Sequence, residues 1–344
     1  MRTAMLYPSS LSDASKTILV LGLVLCLSFP ALAQNAEQDL PYEFGIYYTA
    51  KKGETLVDVS KRFFDSEAYW PQLWKDNKSI QNPYDLKEGD RICLYQKAGT
   101  QKIPLRLLSP RVLGTEAPFA IFSPIEAAGF VRPEPAKPIG SLFKVIGDKV
   151  IIADGDEVFL WKTEGEPFEA GGRYTVFRTQ PIPGSPAPPE LGVHHYLTGV
   201  VEVTDVKPQY AVATVIKSYR PIKINDLIMP YEKRTPIIPL ARCQKGLNGT
   251  IVASEENLKL MGDGHIAFID KGRRDGVAPG QQYLICEYDQ RIKPGTHQEV
   301  TVGPIDFGTI LVLSAEERVA TVAITQTDRK VSAGDRFRAP SLME

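Results

Sequence analysis

Four histidines (His194, His195, His265 and His297) and four cysteines are the side chains of this sequence most suited to metal or nucleophile chemistry. Such chemistry needs them at set spacings, with an acid or base close by. That spacing is missing. No His-Glu-x-x-His or His-x-His run occurs, and adjacent His194 and His195 would point to opposite faces of a strand. No Gly-x-Ser-x-Gly elbow presents a serine, and no cysteine sits in a recognisable nucleophile motif. Paired acids such as Glu255–Glu256 and Glu316–Glu317 suit a solvated face. The glycine-rich GDGHIAFIDKGRRDG lacks the Lys-Ser/Thr of a phosphate loop and reads as β-turns. The expectation is no catalytic residue, no metal and no cofactor: a binding protein, not an enzyme.

A formal charge of −1 gives no electrostatic reason to bind nucleic acid or an anionic membrane, and 43% apolar residues suit a globular protein. Residues 1–33 read as an export signal: Arg2 and Lys16, the apolar TILVLGLVLCLSF, and ALA ending at Ala33. The apolar run is shorter than the roughly 20 residues that span a bilayer, so no membrane span is expected in the mature chain. Leu25 before Cys26 argues against a lipid anchor. Cys93, Cys243 and Cys286 remain; Cys243 could bridge Cys286, and three separate buried thiols suit the sequence equally well.

The elements that would position any site fall into an α+β arrangement. Residues 45–96 read as strand, helix, helix, strand: IYYTA, a turn at Lys51, Lys52 and Gly53, and a helix capped by Thr55 with Asp58 in the capping-box place. The second helix puts Trp70, Leu73, Trp74 and Asn77 on one face, which predicts a core role for both tryptophans. NPYDLKEGD is turn chemistry and RICLY a closing strand. Residues 97–139 form a proline-rich connector, although FAIFSPIEAAGF within it is apolar enough to pack on a neighbouring domain.

Beyond residue 139 the chain matches itself at an offset of 109: Gly140 on Gly249, Gly155 on Gly264, Phe159 on Phe268, Gly171 on Gly280, Tyr174 on Tyr283, Gly199 on Gly308, Asp226 on Asp335. Residues 140–235 and 249–344 are thus expected to be tandem all-β repeats, small barrels or sandwiches. The loops QPIPGSPAPPE and DQRIKPGTHQEV lack a secondary-structure period and are expected to be exposed hairpin connections.

One stretch carries a more specific signal. YYTAKKGETLVDVSKRFF, YWPQLWKDN and IQNPYDLKEGDRICLY together resemble the LysM family, carbohydrate-binding modules of bacterial envelope proteins, across residues 47–95. Glu54 stands where Asp is usual, and Cys93 lies in the last strand. The resemblance implies a βααβ fold that binds N-acetylglucosamine glycans, chiefly peptidoglycan, in a groove between two turns. Carried onto this sequence, the groove comprises Gly53, Glu54, Thr55 and Leu56 on one side and Asn82, Pro83, Tyr84, Asp85 and Leu86 on the other. Gly53 would admit a sugar close to the backbone, Thr55 would offer a hydroxyl, and Tyr84 and Leu86 apolar contact. Turning the chain and capping the helix account for Gly53 and Thr55 too, and the roles are compatible.

The sequence as a whole thus suggests an exported, periplasmic or wall-associated protein that holds peptidoglycan, with β-repeats facing another envelope protein. The alternative is a LysM-targeted cell-wall hydrolase or transpeptidase whose catalytic domain carries no recognised motif.

Overall fold

A computed structural model describes residues 44–96, 118–163, 168–182, 191–292 and 299–340; the expected export signal and connector residues 97–117 lie outside them. The first unit is β1 (Phe44–Thr49), α1 (Leu56–Phe64), α2 (Trp70–Asp76) and β2 (Arg91–Gln96), with β1 and β2 antiparallel. The capping box at α1 forms as expected. Thr55 Oγ1 accepts the Asp58 N–H at 3.1 Å, while Asp58 Oδ2 accepts the Thr55 N–H at 3.0 Å. The start of the helix is thereby fixed. Leu56, Val59, Phe63 and Leu73 are buried beneath the strands. Buried Asn77 ties α2 to β2, donating to Cys93 O (3.0 Å) and accepting the Cys93 N–H (2.7 Å).

The apolar stretch of the connector does pack on a neighbour, as a strand. β3 (Phe119–Phe122) pairs with β1, and β11 (Ile237–Pro239) pairs with β3, giving a sheet of order β11-β3-β1-β2. The connector then runs on into β4 (Phe130–Arg132).

The first barrel is built from β5 (Gly140–Val145), β6 (Glu157–Lys162), β7 (Arg173–Pro181), β8 (Val193–Val206), β9 (Tyr210–Ser218) and β10 (Leu227–Pro230). Antiparallel pairings run β5–β6–β9–β8–β7–β10 and back to β5, with β4 added beside β8. The second comprises β12 (Asn248–Ser254), β13 (Ile266–Ile269), β14 (Gln282–Ile292), β15 (Glu299–Ala315), β16 (Ala320–Thr327) and β17 (Arg336–Arg338), closed in the order β12-β13-β16-β15-β14-β17. Registers correspond at the offset of 109: Ile228 opposite Gly140 and Phe337 opposite Gly249, Phe159 opposite Val212 and Phe268 opposite Thr321. The turn bonds do likewise, Lys223 N–H to Asp226 Oδ2 and Ser332 N–H to Asp335 Oδ2.

Strand alternation fills each interior: Leu142, Val158, Leu160, Val176, Val201 and Val203 in the first, Ile251, Ala267, Ile285, Ile310, Val312 and Phe337 in the second. Both expected loops are partly strand, the first at Gln180 and Pro181, which pair with His194 and Val193. Asp289–Ile292 pair with Glu299–Val302, because the β14–β15 ladder continues past the point where sequence period fades. Residues 183–190 and 293–298, the rest of the two expected loops, lie outside the described residues. No disulfide joins Cys93, Cys243 or Cys286; Cys243 Sγ donates to Gln282 O, and burial pushes its thiol up to about 11.

A polar clasp joins the barrels. Arg220 donates to Leu197 O (2.8 Å) in the first barrel and Ala127 O (2.6 Å) in the connector, and pairs with Glu255 (3.1 Å) and Glu256 (2.6 Å) at the start of the second. Glu255, 1% exposed, also accepts the Gly129 N–H at 2.5 Å. A Cβ on residue 129 would stand 2.5 Å from His195 O, so only glycine fits there. Both His194 and His195 are wholly buried: His194 packs edge-on against Phe268, and His195 stacks on Phe130 with its Nε2 accepting the Ala136 N–H (2.8 Å). Burial, then the Arg132 charge, pulls His195 down to about 4.

Candidate glycan-binding groove

The two turns that the sequence brings together lie side by side, joined by backbone hydrogen bonds. Leu56 N–H donates to Pro83 O at 2.8 Å, and Leu86 N–H donates to Glu54 O at 3.0 Å. This double tie holds residues 53–56 against 82–86 without using any side chain that faces out.

The predicted residues divide into those that build the groove and those that face solvent. Leu56 (0% exposed), Leu86 (2%) and Pro83 are buried. Leu86 therefore anchors its loop from below and offers no apolar face to a sugar, contrary to expectation. Glu54 is also committed: its carboxylate accepts the Tyr48 hydroxyl (2.8 Å), the Lys51 N–H (2.9 Å) and Arg62 Nη2 (2.6 Å). Burial, then that bond to Glu54, pushes the Tyr48 hydroxyl up to about 12, so it stays a donor. Glu54 is a brace for the first turn.

Gly53 has a φ of +80° and open space where a Cβ would stand. Glycine is required there by the left-handed turn, and its surface is left clear. The backbone N–H groups of Lys52 and Gly53 bond to nothing in the chain among the described residues. Thr55 gives its hydroxyl proton to Asp58 (2.7 Å) and keeps one lone pair for an outside donor. That bond, then the Thr55 N–H, holds the Asp58 carboxyl below the usual carboxylate range. Across the groove, Asn82 Oδ1 accepts the Tyr84 N–H at 3.1 Å, an Asx-turn that leaves the Asn82 amide NH2 facing outward. Asp85 is exposed beside it, and Tyr84 is 61% exposed.

The sequence reading missed an aromatic edge beside these turns. Tyr84 lies 5.4 Å from Trp70, and Trp70 6.1 Å from Trp74, which is 39% exposed. Trp74 is not a core residue, whereas Trp70 is half-buried and packs one side against the core of the module. On so short a helix only one stripe can face inward, and the buried residues Leu73 and Asn77, four apart, take it. Trp70 and Trp74, also four apart, fall on the neighbouring stripe, which was the available signal. Trp74 Nε1–H donates to Ile80 O (2.8 Å), fixing its ring upright.

This is a shallow cradle of outward donors and acceptors flanked by aromatic rings, suited to a polar ring with C–H faces. Among the described residues no cluster of three potential metal ligands occurs, and no helix is long and apolar enough to cross a membrane. A second concavity, about 270 Å³ and open to solvent, lies between the connector and the first barrel. Three of its charged side chains are engaged internally: Glu126 accepts from Tyr219 and Tyr231, Arg234 donates to Ala128 O, and Arg132 pairs with Glu316.

No curated protein matches the chain. LysM domains bind glycans of the peptidoglycan and chitin type. Residues 48–94 match the family model described as LysM domain, and the protein is therefore a LysM domain-containing protein.

Proposed function

We propose that this protein is a non-catalytic peptidoglycan-binding component of the cell envelope, exported by residues 1–33 and working in the periplasm or at the wall. The observation that carries this reading is the pair of turns tied at Leu56–Pro83 and Leu86–Glu54, with Tyr84 and the unpaired amides of Lys52, Gly53 and Asn82 on its open side. Acetamido and hydroxyl groups of an N-acetylglucosamine unit would meet Gly53, Thr55 and Asn82, while a sugar C–H face would rest on Tyr84. A shallow site of this kind gains little per contact, so affinity is weak for a single copy. The two barrels, whose registers correspond at the 109-residue offset, are tandem copies of one unit serving as scaffold and partner surface.

Sedimentation with insoluble peptidoglycan tests the reading. Tyr84→Ala should release most of the bound protein, and Thr55→Ser, which keeps the helix cap, should retain it. Binding unchanged in Tyr84→Ala combined with Asn82→Ala would remove the groove as drawn. Clearing of peptidoglycan in a zymogram would favour a hydrolase instead.

A further inference from the structure

A polar concavity of about 340 Å³ opens on the outside of the second barrel where β12, β14 and β17 meet, lined by Thr250, Asp270, Lys271, Tyr288 and Arg336. Strand register places these residues. Arg336 stands between Thr250 of β12 and Cys286 of β14, and Tyr288 follows two residues along β14. The Arg336 guanidinium rests 5.3 Å from the centre of the Tyr288 ring, which steadies a long side chain. Asp270 is held by the backbone: its Oδ1 accepts the Thr250 N–H at 2.8 Å. A Cβ on residue 249 would stand 2.4 Å from that oxygen, so glycine makes room for the carboxylate.

The charges of this concavity are not used up inside the chain. Other arginines of the barrel take carboxylates: Arg338 gives Asp306 two hydrogen bonds, of 2.9 and 2.6 Å, and Arg329 pairs with Glu287. Among the described residues, Arg336 and Lys271 have no acidic partner, and Asp270 Oδ2 accepts no hydrogen bond. Nor does the barrel need them. The residues 109 earlier are Leu227 for Arg336, Trp161 for Asp270 and Thr179 for Tyr288. Leu227 packs on the cluster of Phe130, Phe177 and Leu197, and Lys162, the counterpart of Lys271, donates to Lys207 O at 2.7 Å. The same strand arrangement thus forms with that corner apolar, and the charges of the second barrel are free to serve a ligand.

We propose that this concavity binds a small zwitterion, a free amino acid or short peptide, whose carboxylate meets Arg336 and Lys271 and whose ammonium meets Asp270. The planar arginine fork can take both oxygens of a carboxylate at once, and the lysine adds a second charge-assisted donor. Asp270 sets the preference. Its carboxylate repels a ligand that is only negative, such as inorganic phosphate, and favours one that carries an ammonium close to its carboxylate. The proposal rests on the barrel cavity and not on the glycan groove, so each can fail without the other.

A ¹H–¹⁵N NMR titration of the full chain with alanine, and separately with dialanine, at low salt and neutral pH tests it. Shifts should gather at the amides of Thr250, Lys271 and Tyr288 and at the Arg336 Nε–H. The tighter of the two probes tells a free amino acid from a peptide. N-acetylalanine and alanine amide, each lacking one charge, should bind about tenfold more weakly or less well still. Arg336→Leu, which installs the residue at the matching place in the first barrel, should weaken binding by about tenfold or more, and Arg336→Lys should keep part of it. Arg336 is exposed, so circular dichroism should show an unchanged fold. Asp270→Asn, which retains an acceptor for the Thr250 N–H, should erase the preference for alanine over N-acetylalanine. No shifts with either probe at its solubility limit overturns the proposal, as does binding indifferent to Arg336→Leu. Acetate or inorganic phosphate binding as tightly as alanine would make the cavity a plain anion site and overturns it too.

Discussion

The two barrels share strand order and register but differ in what their outer surfaces are made of. Leu284, Leu311, Leu313 and Ala323 point outward from the second barrel and are buried with the core of the LysM unit and its added strands. The matching residues of the first barrel are Thr175, Glu202, Thr204 and Thr214, and Thr204 is exposed. Each buried leucine contributes on the order of 2 kcal/mol by leaving water. The outer residues therefore track what covers them, while the inner ones stay apolar in both. The aromatic face of the first barrel departs from this rule, with Trp161 51% exposed.

Giving the second barrel the first barrel's surface should have the largest effect. Leu311→Glu places an uncompensated charge under the LysM unit and should cost about 4–5 kcal/mol in urea unfolding, with the helical signal of α1 and α2 lost early. Arg220→Ala comes next, because it leaves Glu255 buried without its cation; a loss of about 3–4 kcal/mol is expected, and Glu255→Gln in the same chain should recover part of it. The third test uses pH at the junction of β4 with the first barrel. His195 stays neutral in the fold down to about 4, whereas the unfolded chain takes up a proton below 6.5. Its contribution is full above 6.5 and is lost as pH falls from there toward 4, up to about 3 kcal/mol, and His195→Phe should flatten that part of the stability profile. The smallest effect is expected from Thr204→Leu, the reverse exchange on an uncovered face, which should change stability by no more than about 0.5 kcal/mol.

Local features of the fold were legible in the sequence. The Thr55–Asp58 box gave the start of α1, alternation gave the barrel strands, and glycines and Asp226 with Asp335 marked matching turns. What escaped depends on partners distant in the chain. β3 adds to β1 across some 70 residues and β11 to β3 across more than a hundred, and no local period encodes such pairing. The same holds at the site. Gly53, Thr55 and Asn82 could be read from turn and cap chemistry, but the inward turn of Leu86 goes with its loop being tied to Glu54, and the outward turn of Trp74 was decided by Leu73 and Asn77 filling the only inward stripe of α2. The burial of His194 and His195 likewise required the second barrel and β4 to be in place.

The most direct test of glycan recognition is a ¹H–¹⁵N NMR titration of the chain with an N-acetylglucosamine oligomer. Shifts confined to the amides of residues 51–56 and 81–86 and to the indole N–H groups of Trp70 and Trp74 are predicted, with those of Tyr84 and Asn82 among the largest. Shifts at Trp161 with the two turns unmoved, or no shifts at saturating oligomer, would contradict it.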